Sequence, residues 1–194
     1  MKKLFISLII LLSLSGTAFA SEDTYYCTIN GVYGQMNQSQ MAVPDGVVNY
    51  GLGVDGKAFF TDLIGFSCGV NYDIMNIFST ETNNLFIIDF YLGVPFKLFD
   101  NDSLLFMVTP SFGFNIFSND ILGFFGITDS SLDVDSISIW CGAEVSAALM
   151  ITDEIGFSIA DQIEYRFAGF GEYKPFEQMN RWANQIKFGF IFKI

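Results

Sequence analysis

VVNYGLGVDGKAFF (47–60), TDL (61–63) and IGFSCGVNYDI (64–74) decide the fold of this chain. In the first run Val48, Tyr50, Leu52, Val54, Ala58 and Phe60 share one parity, and Asn49, Gly51, Gly53, Asp55 and Lys57 share the other. In the second, Ile64, Phe66, Cys68, Val70, Tyr72 and Ile74 alternate with Gly65, Ser67, Gly69, Asn71 and Asp73. A period of two is the signature of a strand with one apolar and one polar face. The three residues between the runs read as a hairpin turn, and they set Phe60 opposite Ile64, so both apolar faces stay on one side.

The same pattern recurs along the chain and predicts eight strands, over 25–35, 47–60, 64–74, 85–98, 104–117, 136–151, 155–168 and 185–194. Phe86, Ile88, Phe90 and Leu92 stand against Asp89, Tyr91, Gly93 and Lys97; Leu104, Phe106, Val108, Phe112 and Phe114 stand against Thr109, Ser111, Gly113 and Asn115. Phe188, Phe190, Phe192 and Ile194 stand against Lys187, Gly189 and Lys193. Connections alternate between long (36–46, 75–84, 118–135, 169–184) and short (Thr61 to Leu63, Phe99 to Asp102, Thr152 to Glu154), the short ones being turns built on Asp or Asn. The expected fold is all-β, an eight-stranded antiparallel up-and-down barrel.

Residues 1–20 read as a cleaved signal peptide: Lys2 and Lys3, then an apolar run from Leu4 to Ser15, then Thr17-Ala18-Phe19-Ala20 with its small-x-small ending. The barrel domain is then 21–194, and loss of the two lysines takes the formal charge from −12 to −14. That sign excludes nucleic acid as a partner, since phosphate binding needs a basic face. The 23 Phe in 194 residues, 17% aromatic overall, demand more apolar surroundings than a small core supplies, yet no stretch after residue 20 is long and apolar enough for a helical span.

The polar face separates a membrane barrel from a soluble one. It is rich in Gly and Ser, and an eight-stranded barrel has an interior only just wide enough for side chains. The small face therefore points inward and the Phe, Ile, Leu and Val face outward into lipid, where closure satisfies every backbone group. Short turns and both termini then lie on the periplasmic side and the four long connections outside. The chain resembles the small OmpA, OmpX and OmpW type of outer-membrane barrel in architecture. The terminal Phe188-Phe190-Phe192-Ile194 run resembles the C-terminal strand by which such barrels are recognised for assembly, with Ile194 where Phe is usual. That resemblance implies an outer-membrane location, outer-membrane lipid around the wall and the barrel-assembly machinery as a partner.

The inward charges Asp55, Lys57, Asp73, Asp89, Lys97, Glu144, Glu164, Arg166 and Lys187 form one cluster, read as a salt-bridge plug, with a narrow ion path as the competing reading. Five acids against four bases leave one carboxylate to be protonated or to hold a cation, although no metal-ligand spacing is present and no cofactor or metal is expected. Asp161 falls on the apolar face; a local bulge or a neutral carboxyl is the expectation, with a protomer contact or a lateral opening in the wall as the sharper reading. In the third long connection Phe124, Phe125 and Ile127 form an apolar run that reads as a contact surface for an extracellular partner. Trp182, Tyr173 and Phe176 fit an interfacial aromatic girdle.

Cys27, Cys68 and Cys141 all take lipid-side parity and read as small hydrophobes, with at most one bridge among them. With no His in the chain, the usual general base of a serine triad is missing, and an enzyme is not expected. The expected function is structural or adhesin-like, through the four outer loops of a plugged barrel. The alternative is a porin-like conduit for small solutes or hydrophobic molecules, and the least favoured reading is a soluble periplasmic lipocalin-like binder.

Overall fold

A computed structural model describes residues 24–36, 47–76, 84–101, 103–118, 136–171 and 182–194. The strands are β1 (Thr24–Met36), β2 (Val47–Phe59), β3 (Gly65–Asn76), β4 (Asn84–Gly93), β5 (Phe96–Asp100), β6 (Leu104–Ser118), β7 (Ser136–Met150), β8 (Ile155–Gly171) and β9 (Trp182–Lys193). Each pairs antiparallel with its sequence neighbour, except that β4 and β5 do not pair with each other and both pair with β6; β1 pairs with β9. The sheet is thereby closed. β4 and β5 are two parts of one stave, so the barrel has the eight staves that the alternation predicts.

That stave breaks at Val94-Pro95, because proline has no N–H to give a ladder. The seam survives the break. Gly65 N–H donates to the Pro95 carbonyl (3.0 Å), Lys97 N–H to Leu63 (2.9 Å), and Val94 N–H to Pro110 on β6 (3.0 Å). The strand also runs on to Asp100, so Phe99 and Asp100, expected in a turn, are paired with β6 across an irregular register at Lys97/Phe99.

Turn chemistry departs from the expectation in a second way. Asn101 does cap its turn, its Oδ1 accepting from Ser103 N (3.0 Å) and Leu104 N (2.7 Å). In the other two turns a threonine does this, not the adjacent aspartate. Thr61 Oγ1 accepts from Ile64 N (2.9 Å), and Thr152 Oγ1 from Ile155 N (3.0 Å). The hydroxyl one residue earlier reaches the N–H groups that the turn leaves open.

Parity is as the sequence predicts. Leu52, Val54, Phe66, Phe112, Phe157, Ile159, Phe188 and Phe190 are exposed on the outer wall, Leu52 to 68%. Aromatic residues border this wall towards the long connections: Tyr33 lies opposite Tyr50, and the Tyr165 and Trp182 rings are 4.9 Å apart. Inside, glycines permit strands to approach. A Cβ on Gly189 would collide with the Ile29 carbonyl on β1, across the seam that closes the barrel.

The outer wall has a direct test. Leu52→Arg puts a cation in mid-wall and is expected to destabilise the barrel in lipid vesicles by about 2–4 kcal/mol, read by denaturant titration. Asp62→Lys, in a turn, is expected to stay within about 0.5 kcal/mol of the parent.

Candidate functional site

The interior is filled in three layers. Nearest the short turns, Tyr26, Phe59, Leu105, Met107, Ala148 and Ile191 make an apolar floor, with Tyr26 and Phe59 edge to face at 5.9 Å. These are large residues on the inward parity of strands otherwise lined by small and polar ones. Lys97 caps the floor from the turn side: its Nζ lies 4.5 Å from the Phe59 ring centre and 2.9 Å from Asp100 Oδ2. The ammonium thus keeps an aromatic face and a half-exposed carboxylate as partners.

Charge occupies the middle layer. Lys57 Nζ sits 2.6 Å from Asp55 Oδ1 and 3.1 Å from Glu144 Oε1. Lys187 Nζ sits 3.0 Å from Glu144 Oε2, donates to Tyr91 Oη (3.1 Å), and donates to Gln162 Oε1 as well. Gln162 passes the chain to Glu164 (2.9 Å), and Glu164 Oε2 pairs with Arg166 at 3.2 Å. Asn30 Nδ2 donates to Asp55 Oδ2 (2.9 Å).

Two of these contacts cross the full diameter. In the order of staves around the ring, β2 and β7 stand opposite each other, as do β4 and β9. Lys57–Glu144 joins the first pair and Lys187–Tyr91 the second, and they meet at Glu144 and Lys187. A cavity of ≈ 10 Å³ beside them, touched by Thr28, Lys57, Met107 and Glu144, has room for about one water molecule. Glu144 and Lys187 are themselves buried where the two contacts meet.

Above this lie Asp73 and Asp89, both without measurable exposure. Trp140 Nε1 donates to Asp89 Oδ1 (2.8 Å), Asn71 Nδ2 to Asp89 Oδ2 (3.3 Å), and Asn49 Nδ2 to Asp73 Oδ2 (2.7 Å). Neither carboxylate has a Lys or Arg nitrogen within salt-bridge distance among the described residues.

All nine charged side chains expected in the lumen are there and buried. They do not form one network: Lys97 stays with Asp100 below the floor, and Asp73 and Asp89 are held by neutral donors. Tyr91 and Trp140 were legible as inward by parity, but nothing in the sequence marked them as the residues that reach across. Gln162 was also missed.

Asp161 is on the outer wall as expected, but the bulge expected there is absent. Pairing runs unbroken from Gly156 to Arg166 with β7 and from Ile155 to Tyr165 with β9. The shift comes later, where Phe167 is skipped between Arg166 and Ala168. Asp161 Oδ1 instead accepts from Asn184 Nδ2 (2.5 Å), on the neighbouring strand's outer face. Both seams beside it are hydrogen-bonded, so there is no lateral gap in the wall at this point.

Cys27, Cys68 and Cys141 are unbridged and none is buried, as lipid-side parity requires. Phe124, Phe125 and Ile127, with Tyr173 and Phe176 and the segment 1–20, lie outside the described residues.

No protein-family model matches this chain, and no curated protein matches it in sequence. Solved structures do. Neisserial surface protein A superposes with a TM-score of 0.63 at 9% identity, over 88% of this chain and 97% of that one. The outer membrane protein OprG of Pseudomonas aeruginosa gives 0.55 at 10% identity, over 90% and 97%. Ail, the attachment invasion locus protein of Yersinia pestis, gives 0.51 at 12%, over 90% and 100%. At these identities the likeness is one of fold: the chain has the closed eight-stranded architecture of the small outer-membrane β-barrels.

The middle layer predicts non-additive energetics. Lys187→Met is expected to cost about 3–5 kcal/mol, because it leaves a buried carboxylate short of a partner. Lys187→Met with Glu144→Gln is expected to cost less than the sum of the two, since Lys57 retains Asp55. A double-mutant cycle by denaturant unfolding in detergent measures the coupling, and additivity within about 0.5 kcal/mol would contradict the network.

Proposed function

We propose that the chain is a surface protein of a bacterial outer membrane, anchored by a plugged barrel and acting through its four long connections in a structural or adhesin-like role. One observation carries this reading: two diameters of the lumen are bridged by side chains, over an apolar floor. A pore that conducts needs a wet path, and Lys57–Glu144 and Lys187–Tyr91 occupy the place where it would run.

A route through the wall has no support at Asp161, where both seams are paired. The names of two solved relatives, a surface protein and an attachment protein, point in the same direction as the closed lumen. Residues 1–20 serve in this reading as the cleaved signal peptide, and the exposed Phe188, Phe190 and Ile194 of the last strand as the element recognised by the assembly machinery. The long connections, outside, are where a partner would bind. A non-enzymatic role accords with a chain that contains no His.

Single-channel recording on the refolded protein in a planar bilayer tests the reading. Verified insertion with a silent trace is the expected result, for the parent and for Asp89→Ala. Reproducible conductance steps in the parent that change with Asp89→Ala or Glu144→Ala would overturn it and make the protein a pore.

A further inference from the structure

Counting charges layer by layer separates two parts of the lumen. In the middle, Asp55 and Glu144 are matched by Lys57 and Lys187. Beyond these, Glu164 is paired with Arg166, and among the described residues no further cation is paired with Asp73 or Asp89 above them. Two buried carboxylates are therefore left in a space that water barely enters. Isolated buried charge is costly, and hydrogen bonds from neutral amides and an indole offset only part of that cost.

The ladder places further oxygen atoms beside them. Asn71 on β3, Asp89 on β4, Asn115 on β6 and Ser138 on β7 are successive cross-strand partners, all with inward parity, so they form one row across four staves. Asn115 is fully buried, and neither its Oδ1 nor its Nδ2 has a hydrogen-bond partner. Ser138 Oγ, Asn71 Oδ1 and Asp73 Oδ1 are buried and equally unpartnered. Buried polar atoms left in this state cost about 1–3 kcal/mol each, and native structures rarely leave so many together. The pattern is specific in its chemistry: carboxylate, amide and hydroxyl oxygens, with a surplus of two negative charges among the described residues.

We propose that this row binds one hard divalent cation of the calcium type, with Asp89, Asn115 and Ser138 as the principal oxygen donors and Asp73 supplying the second negative charge. Calcium takes carboxylate, amide carbonyl and water oxygens in flexible geometry, whereas the softer transition metals favour His and Cys. No group of three or more His, Cys, Asp or Glu among the described residues is arranged for a metal. The site depends instead on neutral oxygens flanking two carboxylates. The inference goes beyond the surface role proposed above and does not depend on it, because a bound cation and a silent bilayer are read separately.

Trp140 makes the site observable. Its indole N–H touches Asp89, and the chain has one other tryptophan, Trp182 at the far side of the wall. The Trp182→Phe protein is refolded in detergent with terbium, which replaces calcium on oxygen ligands, and excited through Trp140. Saturable terbium luminescence that calcium competes away is expected. It should vanish in Asp89→Asn, and Asn115→Leu should weaken terbium by about tenfold or more. In the parent protein calcium should raise the Tm relative to chelator, which gives a readout if either variant fails to fold. A folded Trp182→Phe barrel without sensitised luminescence would overturn the proposal. So would luminescence that survives Asp89→Asn, or a parent Tm indifferent to calcium.

Discussion

An eight-stranded barrel encloses a cylinder too narrow for a water column once side chains point into it, and that limit on volume governs the rest of this structure. Every inward residue must either be small or find its partner inside. Lys187 shows the consequence. Its ammonium lies at the axis, almost without exposure, and is surrounded by Glu144, Gln162 and the Tyr91 hydroxyl, with the Tyr91 ring centre 4.3 Å away. Those partners come from β7, β8 and β4, so a single side chain ties three staves to β9. The strands are held by their ladders, and the cross-section is held by such contacts.

Layering follows from the same limit. Large apolar side chains can share the cylinder only where they exclude polar ones, so Tyr26, Phe59, Leu105, Met107 and Ile191 gather at one end. Charges gather where opposite signs arrive from facing staves. Carboxylates that find only amide and indole donors, Asp73 and Asp89, stand beyond them. The glycines are the complement of this filling: Gly51 lies against Asp73 and Gly53 against Asn71, so the large inward residues of β3 rest over positions on β2 that have no side chain.

The eight staves, their faces and all nine lumen charges were legible in the sequence, because alternation is a local property and one slip in register would put every phenylalanine of a strand inside. What alternation cannot give is distance across the lumen. Lys57 and Glu144 meet because β2 and β7 stand opposite after closure, and that depends on how far each stave is staggered against the next. For the same reason alternation gives no sign that the inward Phe59, Leu105 and Met107 are neighbours in one floor. The break at Pro95 had a clear sign in the proline. The bulge at Phe167 had none, and Asp161, whose polarity in an apolar face seemed to mark one, is accommodated without any change of register.

Asp161 illustrates how a membrane wall tolerates a polar residue. In water, a carboxylate on a strand surface needs no partner; in a wall facing lipid it has only what its own sheet offers. Asn184 stands on the adjacent strand, one diagonal step away, and its amide donates to the carboxylate at 2.5 Å. Each side chain alone would be an unsatisfied group in hydrocarbon, and together they hide one acceptor and one donor from it. Periodicity judged Asp161 against the residues before and after it on β8, Ile159 and Ile163, and found a fault. The relevant neighbour was on another strand, and a pairing of faces, read for all adjacent staves together, is what turns the apparent fault into a matched pair.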